Sequence, residues 1–162
     1  MEQHLLYTDD NLEDIVVKYS NMVYRLAISH MRNKSDADDV FQEVFFRYIR
    51  KNPIFESEEH RKAWLIRVTT NCCKKIYASA WTRRVVPLDE SIVFESKEEN
   101  GLFYDLQKLP MKYRAIIHLF YYEDMSINEI CLALSKKPSA VKMQLMRARA
   151  KLKEILGEDC HV

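Results

Sequence analysis

Hydrophobic residues recur at helical spacing along most of the chain. The first such run follows the i, i+3, i+4, i+7 rule and predicts a helix over about residues 10–32, with Asp10 and Glu13 forming a capping box at its start. A second apolar face, on residues 40–48, predicts a helix with Ser35 as its N-cap. That helix ends before the next proline, because the residue that precedes a proline is pushed out of helical geometry.

The helical regularity is lost between residues 83 and 105. This stretch contains a proline, scattered acidic residues and an Asn-Gly pair, and no sustained period runs through it, so it is interpreted as a linker. A third helix is predicted before it, over about 57–81, and three shorter ones after it, near 111–122, 126–134 and 138–156. No segment has the alternating pattern of a strand. The predicted fold class is therefore all-α, with two small helical domains, residues 1–82 and 106–162, joined by a flexible linker at 83–105.

The last two predicted helices have the proportions of a helix-turn-helix, in which the second helix enters the major groove. The shorter helix opens with a capping box of Ser126 and Glu129, and the longer one opens with Pro138, whose missing N–H costs nothing at a helix start. In the longer helix, apolar residues spaced by four, three and four positions predict the buried face. These residues are Val141, Leu145, Ala148 and Leu152.

Charge is distributed unevenly, although the formal sum over the 162 residues is only +1. Residues 1–60 hold 7 basic and 12 acidic side chains, whereas residues 61–84 hold seven basic side chains and no acidic one. Residues 85–105 return to six acids and one lysine, and residues 136–153 again hold seven basic side chains and no acid. Two cationic segments divided by an acidic one are typical of a protein that binds a polyanion at two places.

Several functional classes are disfavoured by what the sequence lacks. No apolar run approaches the roughly 18 to 20 residues of a membrane span, and the acidic N-terminal residues do not resemble a secretory signal, so a cytoplasmic protein without membrane insertion is expected. The cysteine spacings indicate no disulfide framework and no metal site, and two isolated glycines allow no phosphate-binding loop, so no cofactor is expected. An enzyme is the weaker alternative, because His60, His118 and His161 have neither metal-ligand spacing nor an adjacent nucleophile.

The polar side of the last helix carries the candidate residues for reading duplex DNA. Side chains near the N-terminus of a recognition helix reach base edges, where glutamine pairs with adenine and lysine with guanine. Cations further along contact phosphates, which position the helix. The candidates for base edges are Ser139, Lys142, Met143 and Gln144, and those for phosphates are Arg147, Arg149 and Lys151. A solvated basic helix is the alternative.

Aromatic and cationic residues interleave in the third helix, with no acid nearby in that segment. Proteins that bind single-stranded DNA stack its bases on aromatic faces inside a cationic groove. The candidates for this role are Arg61, Trp64, Arg67, Lys74 and Lys75. Asn71 lies two turns after Trp64 on the same face, where a side-chain amide can hydrogen-bond an extruded base. The alternative for Trp64 is an ordinary place in the core.

Carboxylates cluster at the start of the second helix. Asp36, Asp39 and Glu43 share one face at spacings of three and four residues, with Gln42 beside them. Acids in a first turn stabilise the helix through its dipole, so a solvated face is one interpretation and a basic protein surface the other.

Taken in order, these segments resemble the extracytoplasmic-function sigma factors, the small bacterial promoter-specificity subunits of RNA polymerase. The residues that carry the resemblance are 35–45 and 60–71 in the first half and, in the second half, Leu109, Pro110, Arg114, 126–130 and 140–152. The likeness covers about residues 9–156.

The resemblance implies two helical domains, sigma regions two and four, and no catalysis by the protein itself. It implies that Asp36, Asp39, Gln42 and Glu43 dock on the clamp helices of the polymerase's largest catalytic subunit. It also implies that Trp64, Arg67, Asn71, Lys74 and Lys75 open and read the minus-ten element, with Asn71 lining the pocket for a flipped base. The helix at 138–152 would match the reader of the minus-thirty-five duplex.

Three positions depart from the family's frequent residues. Lys75-Ile76 stand where an acid is common, Ser135 stands where the turn often has glycine, and Met143-Gln144 replace a frequent Ser-Arg pair. The first departure changes the charge on the helix that is expected to open the minus-ten element. The second affects the geometry of the turn, and the third affects which duplex sequence is recognised.

The expected function is that of a sigma factor, which directs core polymerase to promoters and helps to open them. The expected partners are core RNA polymerase and promoter DNA, both as duplex and as melted strand, and many relatives also bind an anti-sigma protein. The alternative is a stand-alone helix-turn-helix regulator with a helical dimerisation domain, which would bind two-fold half-sites without polymerase.

Overall fold

The computed structural model describes residues 11–31, 33–83 and 105–157, with side chains described up to residue 79 in the second stretch. The helices in these ranges are α1 (Leu12–His30), α2 (Lys34–Lys51), α3 (Glu58–Arg83), α4 (Met111–Ile117), α5 (Ile127–Leu134) and α6 (Pro138–Leu156). A short helical turn at residues 105–107 precedes α4. These ranges contain no strand, so the all-α prediction is confirmed. The predicted linker at 83–105 falls almost wholly outside the described residues.

The first three helices pack around a shared apolar core. Val23 and Leu26 of α1, Val40 of α2, and Leu65 and Ile66 of α3 are each fully buried. Each helix turns one apolar stripe inward, as its spacing predicts. The same core continues into α4–α6, so the buried apolar residues of both halves form one cluster.

The starts of α1 and α2 differ from the predicted caps. The side chain of Asn11 accepts a hydrogen bond from the backbone of Glu13, so Asn11 is the N-cap of α1, and the predicted box residue Asp10 lies outside the described residues. The side chain of Asn33 accepts from the backbone of Asp36 at 2.8 Å, so Asn33, and not Ser35, is the N-cap of α2. Asparagine and serine have nearly equal N-cap preference, so the pattern alone does not choose between them.

The helix-turn-helix forms as the sequence predicts. The Ser126 side chain accepts from the backbone of Glu129, whose carboxylate accepts from the backbone of Ser126 in return. Ser135 ends α5 in the left-handed conformation, with φ 54°, so a serine makes the turn where glycine is more usual. Pro138 opens α6, and all four residues of its predicted stripe are buried: Val141, Leu145, Ala148 and Leu152.

The helix predicted over 111–122 changes its hydrogen-bonding pattern after Ile117. Residues His118–Tyr122 form a π-helical turn, which the backbone N–H of Glu123 closes on the carbonyl of His118. The rings of His118 and Tyr122 stack with centroids 5.4 Å apart and an interplanar angle of 14°. Hydrophobic spacing does not distinguish a π-turn from the end of an α-helix, so the sequence could not predict it.

Arg61 was predicted to lie on a cationic surface without acid contacts, and this prediction is wrong. Its side chain is 1% exposed and pairs with Glu58, one turn earlier on α3. Glu58 also accepts the hydroxyl of Tyr19 on α1 at 2.5 Å. Burial of the phenol, and then this hydrogen bond, raises the pKa of Tyr19. Arg61 therefore joins α1 to α3, and it is not presented to a ligand on the surface.

Glu58→Ala is expected to destabilise the protein, because it removes the counter-ion of the buried Arg61 guanidinium and the hydrogen-bond acceptor of the Tyr19 hydroxyl. The carboxylate is itself partly exposed, so we expect a loss of about 2 kcal/mol, less than for a fully buried pair. Urea unfolding followed by circular dichroism measures it. Glu59→Ala removes an exposed acid from the same turn and should change stability by less than about 0.5 kcal/mol. Equal losses in the two variants would contradict a structural role for Glu58.

Candidate nucleic-acid and protein interfaces

The polar residues of α3 are distributed over distinct environments. Arg67, Asn71 and Lys74 are spaced by four and three residues and line one crevice between α3 and the second half of the chain. Lys75 lies in a different groove, between α2 and α3. Asn71 and both lysines are exposed. Of the candidates for single-stranded DNA, three therefore share a surface, and Arg61 is buried elsewhere.

Trp64 belongs mainly to an aromatic cluster. Its ring meets the rings of Tyr48 and Phe55 edge-on, with centroids 5.7 and 5.9 Å away. The indole is partly buried against the core, which fits the core alternative raised for this residue. The residue as a whole is of intermediate exposure.

Arg67 caps the C-terminus of α5. Its Nη2 donates to the carbonyl of Leu132 at 2.7 Å, and its Nε to the carbonyl of Ala133 at 3.4 Å. The last carbonyls of a helix have no partner within the helix, and a cation there also interacts favourably with the helix dipole. A residue predicted to read the minus-ten element is thus engaged by the helix-turn-helix in this conformation.

Arg114 makes the reciprocal contact from the second half. This arginine is 3% exposed, and its Nη1 donates to the carbonyl of His30 at 3.2 Å and, more weakly, to that of Ser29 at 3.4 Å. Gln107 accepts from the same nitrogen at 2.6 Å and donates to the carbonyl of Ser29 at 3.0 Å. The guanidinium also lies 5.8 Å from the centre of the Tyr77 ring. The C-terminus of α1 is therefore capped from α4 and the segment before it.

The crevice between the halves is small and cationic. It has a volume of about 50 Å³, and besides Arg67 and Lys74 its lining includes Lys112 and Lys136. Burial, and then the charges of Lys74 and Lys112, lower the pKa of Lys136. Like charges from both halves therefore face one another across the contact.

His30 lies at the base of this crevice and is fully buried. Its Nδ1 lies 2.8 Å from the carbonyl of Leu26, which can only accept, so Nδ1 carries the proton. Burial, reinforced by the positive charge of Arg114, lowers the pKa of His30 to about 3. The imidazole is therefore neutral at physiological pH, next to a buried arginine.

The carboxylate face of α2 borders an open groove between α2 and α3. The groove has a volume of about 480 Å³, and its lining includes Asp39, Gln42, Glu43 and Lys75. Asp39 and Gln42 are exposed. Asp36 is turned into the helix cap, where its carboxylate accepts from the Asn33 amide at 3.0 Å.

Glu43 is engaged within its own helix. Its carboxylate lies 2.8 Å from Nε of Arg47 and 3.9 Å from Arg50. The hydrogen bond from Arg47 keeps the pKa of Glu43 below its usual value. Asp39 and Gln42 are therefore the members of this face that are most accessible to a partner.

Two apolar residues beside this face were missed by the sequence reasoning. Phe46 is 65% exposed and lines the groove, and Ile49, one turn further along α2, is 56% exposed. The spacing of these two residues puts them outside the buried stripe of α2, and this could have identified them as exposed. Exposed apolar side chains next to carboxylates are typical of a protein-binding surface.

One face of α6 carries most of the candidates for duplex DNA. Ser139, Lys142, Met143 and Arg147 are exposed and recur at helical spacing. Met146 is 58% exposed on the same face, which the sequence reasoning missed although its spacing from Lys142 and Met143 indicates it.

Three candidates on α6 are held by neighbours. Gln144 accepts from Lys136 at 3.0 Å. Arg149 donates to the hydroxyl of Tyr121 at 2.7 Å, and its guanidinium lies over the Phe120 ring at 5.2 Å. Arg149 is therefore oriented by aromatic contacts. Lys151 forms an ion pair with Glu154 at 3.3 Å.

Of the three histidines that could suggest an enzyme, two lie in the described part of the chain. His118 is buried, with Nε2 3.3 Å from a carboxylate oxygen of Glu123. His60 is exposed near Ser57, and His161 lies outside the described residues. Over the described residues, no group of three or more potential metal ligands occurs, and no helix is long and apolar enough to cross a membrane.

Two family profiles match the chain in order. Sigma-70 region 2 matches residues 15–83, and Sigma-70, region 4 matches residues 106–152. The first covers most of α1 and all of α2 and α3, and the second covers the segment from Leu106 into α6.

Individual relatives agree with these matches. The chain is 30% identical over 131 residues to RNA polymerase sigma factor SigV of Bacillus subtilis (strain 168), covering 77% of this chain and 78% of SigV. It is 26% identical over 160 residues to RNA polymerase sigma factor SigZ of the same organism, covering 94% of this chain and 90% of SigZ.

Two solved structures share the fold. CnrH in complex with the cytosolic domain of CnrY superposes with a TM-score of 0.72 at 24% identity, over 98% of this chain and 97% of CnrH. The sigma factor RpoE, in complex with the anti-sigma factor NepR from Bartonella quintana, gives 0.74 at 19% identity, over 91% and 98%.

The buried neutral His30 predicts acid sensitivity. Its folded-state pKa of about 3 lies below the ordinary 6.5, so as the pH falls through 6.5 the unfolded chain binds a proton that the folded chain does not. Stability should therefore be unaffected by this residue above pH 6.5 and be lost as the pH falls toward 3. Between pH 7.5 and pH 5 the expected loss from His30 is about 2 kcal/mol.

Urea unfolding at the two pH values measures this dependence. His30→Asn retains a side-chain N–H for the Leu26 carbonyl but does not titrate, so it should flatten the pH dependence whatever its own stability. His60→Gln removes an exposed imidazole and should leave most of the dependence in place. A pH dependence that survives in His30→Asn would refute the assignment.

Proposed function

Because the chain belongs to the extracytoplasmic-function sigma factors of the sigma-70 family and acts in transcription initiation, we propose that it binds core RNA polymerase through α2 and contacts two promoter elements through α3 and α6. The observation that carries this proposal is the pair of sigma regions matched in one chain, in order, over most of its length. A stand-alone helix-turn-helix regulator is not favoured, because it would not require the first region. Residues 1–82 form the region-two domain and residues 106–162 the region-four domain of this proposal.

The polymerase contact is the exposed side of α2. Asp39 and Gln42 supply polar groups, and Phe46 and Ile49 supply apolar area beside them. Apolar anchors next to carboxylates suit a basic helical partner, which the clamp helices of the polymerase provide in the family. Asp36 supports this surface through the helix cap, and Glu43 supports it through its pair with Arg47.

The minus-ten contact is the face of α3 that carries Arg67, Asn71 and Lys74, with Lys75 beside it and the partly exposed Trp64 two turns before Asn71. Asn71 is exposed and has both a donor and an acceptor for the edge of an extruded base. Capture of that base offsets the few kcal/mol needed to unstack and unpair it. Arg61 is left out of this surface because it is buried against Glu58.

The minus-thirty-five contact is the exposed face of α6. Ser139, Lys142 and Met143 lie near its N-terminus, where a recognition helix meets base edges, and Met146 adds an apolar contact suited to a thymine methyl group. Arg147 and Arg149 are placed further along, where phosphates are met. Gln144 reaches a base only after its hydrogen bond with Lys136 breaks.

The rest of the proposal follows from this role. The protein catalyses no reaction itself, needs no cofactor and acts in the cytoplasm, where polymerase and chromosome are. An anti-sigma protein is a further proposed partner, because a sigma factor that shares its fold, RpoE, was solved in complex with the anti-sigma factor NepR.

Run-off transcription with core polymerase and genomic fragments tests the proposal as a whole. The chain should give discrete transcripts that core alone does not give. Asp39→Ala should reduce both transcript yield and co-purification with core by about threefold to tenfold, because it removes an exposed charge from the docking surface. Asp38→Ala is the matched control, since Asp38 is one residue away but pairs with Lys34 on another side of α2. Equal effects of the two variants would remove Asp39 from the polymerase contact.

Asn71→Ala is expected to block opening of duplex promoters while leaving the fold unchanged by circular dichroism. Permanganate reactivity of thymines in the minus-ten region reports opening directly. A promoter that carries a pre-melted bubble should restore part of the activity, because the unstacking and unpairing cost has then been met beforehand. Normal permanganate reactivity of Asn71→Ala on duplex DNA would count against the assignment of this residue.

A further inference from the structure

The crevice beside α3 is lined by four cationic side chains and, among the described residues, by no Asp or Glu. The four are Arg67, Lys74, Lys112 and Lys136. Two of them already have acceptors, and those acceptors are neutral. Arg67 donates to backbone carbonyls of α5, and Lys136 donates to the amide oxygen of Gln144. The lining therefore brings positive charges together without a counter-ion.

This charge acts on the crevice residues themselves. Burial, and then the charges of Lys74 and Lys112, lower the pKa of Lys136. Like charges in partly desolvated surroundings repel more strongly than on an open surface. An anion placed among these ammonium groups relieves that repulsion, whereas an uncharged ligand does not.

A buried lone pair at the base of the same crevice narrows the choice of anion. Nδ1 of His30 donates to the carbonyl of Leu26, so Nε2 of the neutral ring can only accept a hydrogen bond. Nε2 is buried and meets no donor among the described residues. A buried acceptor without a donor is unfavourable, so an anion that brings its own hydrogen to Nε2 is preferred over one that presents only oxygens.

The size of the crevice limits the ligand further. Its volume of about 50 Å³ has room for only a few water-sized groups, so a small inorganic anion fits and a whole nucleotide does not. We propose that the crevice binds inorganic phosphate, whose charged oxygens accept from Lys74, Lys112 and Lys136 while a hydroxyl of the anion donates to Nε2 of His30. The inference goes beyond the promoter and polymerase contacts and does not depend on them.

The hydroxyl distinguishes inorganic phosphate from anions of similar shape and charge. Near pH 7.5 inorganic phosphate keeps a hydroxyl, whereas sulfate and a nucleic-acid phosphodiester have none. A phosphate monoester has lost most of its hydroxyl at that pH, because its second pKa is about 6. Each of these competitors sets an oxygen without hydrogen against the lone pair of Nε2.

Lys112→Gln is the test variant, because it removes one crevice charge at an exposed residue outside the proposed DNA and polymerase contacts. Lys108→Gln is its matched control, since it changes the net charge equally at an exposed lysine that pairs with Asp105 and does not line the crevice. Both residues are exposed, so both variants should keep the fold, which circular dichroism checks.

Nuclear magnetic resonance of the ¹⁵N-labelled full chain measures affinity and contact in one titration. The chain is titrated at pH 7.5 and constant ionic strength with inorganic phosphate, sulfate or methyl phosphate. Phosphate should bind at least about fivefold more tightly than the other two, as one hydrogen bond provides. The resonance of His30 Nε2 should shift with phosphate and stay in place with sulfate.

The variants locate the site. Lys112→Gln should weaken phosphate binding about twofold to fivefold, whereas Lys108→Gln should weaken it less than about twofold.

Three results would overturn the inference. Absent phosphate binding, or equal affinities for the three anions, would leave the crevice as a cationic surface without selectivity. An Nε2 resonance that ignores phosphate would remove His30 from the site, and equal losses in the two lysine variants would place the anion elsewhere. Run-off transcription tests the proposed function separately, so either one can fail while the other stands.

Discussion

The last carbonyls of an α-helix have no partner within that helix, and this constraint determines how the two halves of the chain meet. The C-terminus of α1 is satisfied by Arg114 and Gln107, and that of α5 by Arg67. Each cap comes from the opposite half. The burial of His30 follows from this contact, because Arg114 lies over the end of the helix that carries it. The crevice between α3 and the helix-turn-helix follows from it as well.

The near-zero net charge of the chain has a structural counterpart in this crevice. The two cationic segments of the sequence, 61–84 and 136–153, are far apart along the chain, yet Lys74 and Lys136 line the same crevice. The acidic residues that balance the sum include Asp39 on α2, in a different groove. Charge cancels over the whole molecule and not at the contact, so Lys74 and Lys136 repel one another across the crevice.

Local features of this fold were predictable, and long-range ones were not. The stripe on α6, the Ser126 capping box and the start at Pro138 depend on residues within a few positions of each other, and all were confirmed. The asparagine caps of α1 and α2 were missed because neighbouring polar residues have nearly equal capping preference. The exposed Phe46 was missed because the spacing leaves it off the buried stripe of α2 without indicating what a residue there contacts. The contacts between the halves join residues about 65 to 85 positions apart, and no spacing rule reaches that far.

Arg61 and Arg67 illustrate why residue type and segment charge do not define a binding site. Both lie in the acid-free part of α3, and both matched the expectation of a DNA-facing cation. Arg61 pairs with Glu58, just before that segment, inside its own half, and separating them would leave a buried charge without its counter-ion. Arg67 pairs with backbone carbonyls of the other half, for which water is an adequate substitute once the halves separate. The first arginine is therefore fixed in the fold, whereas the second can exchange one acceptor for another.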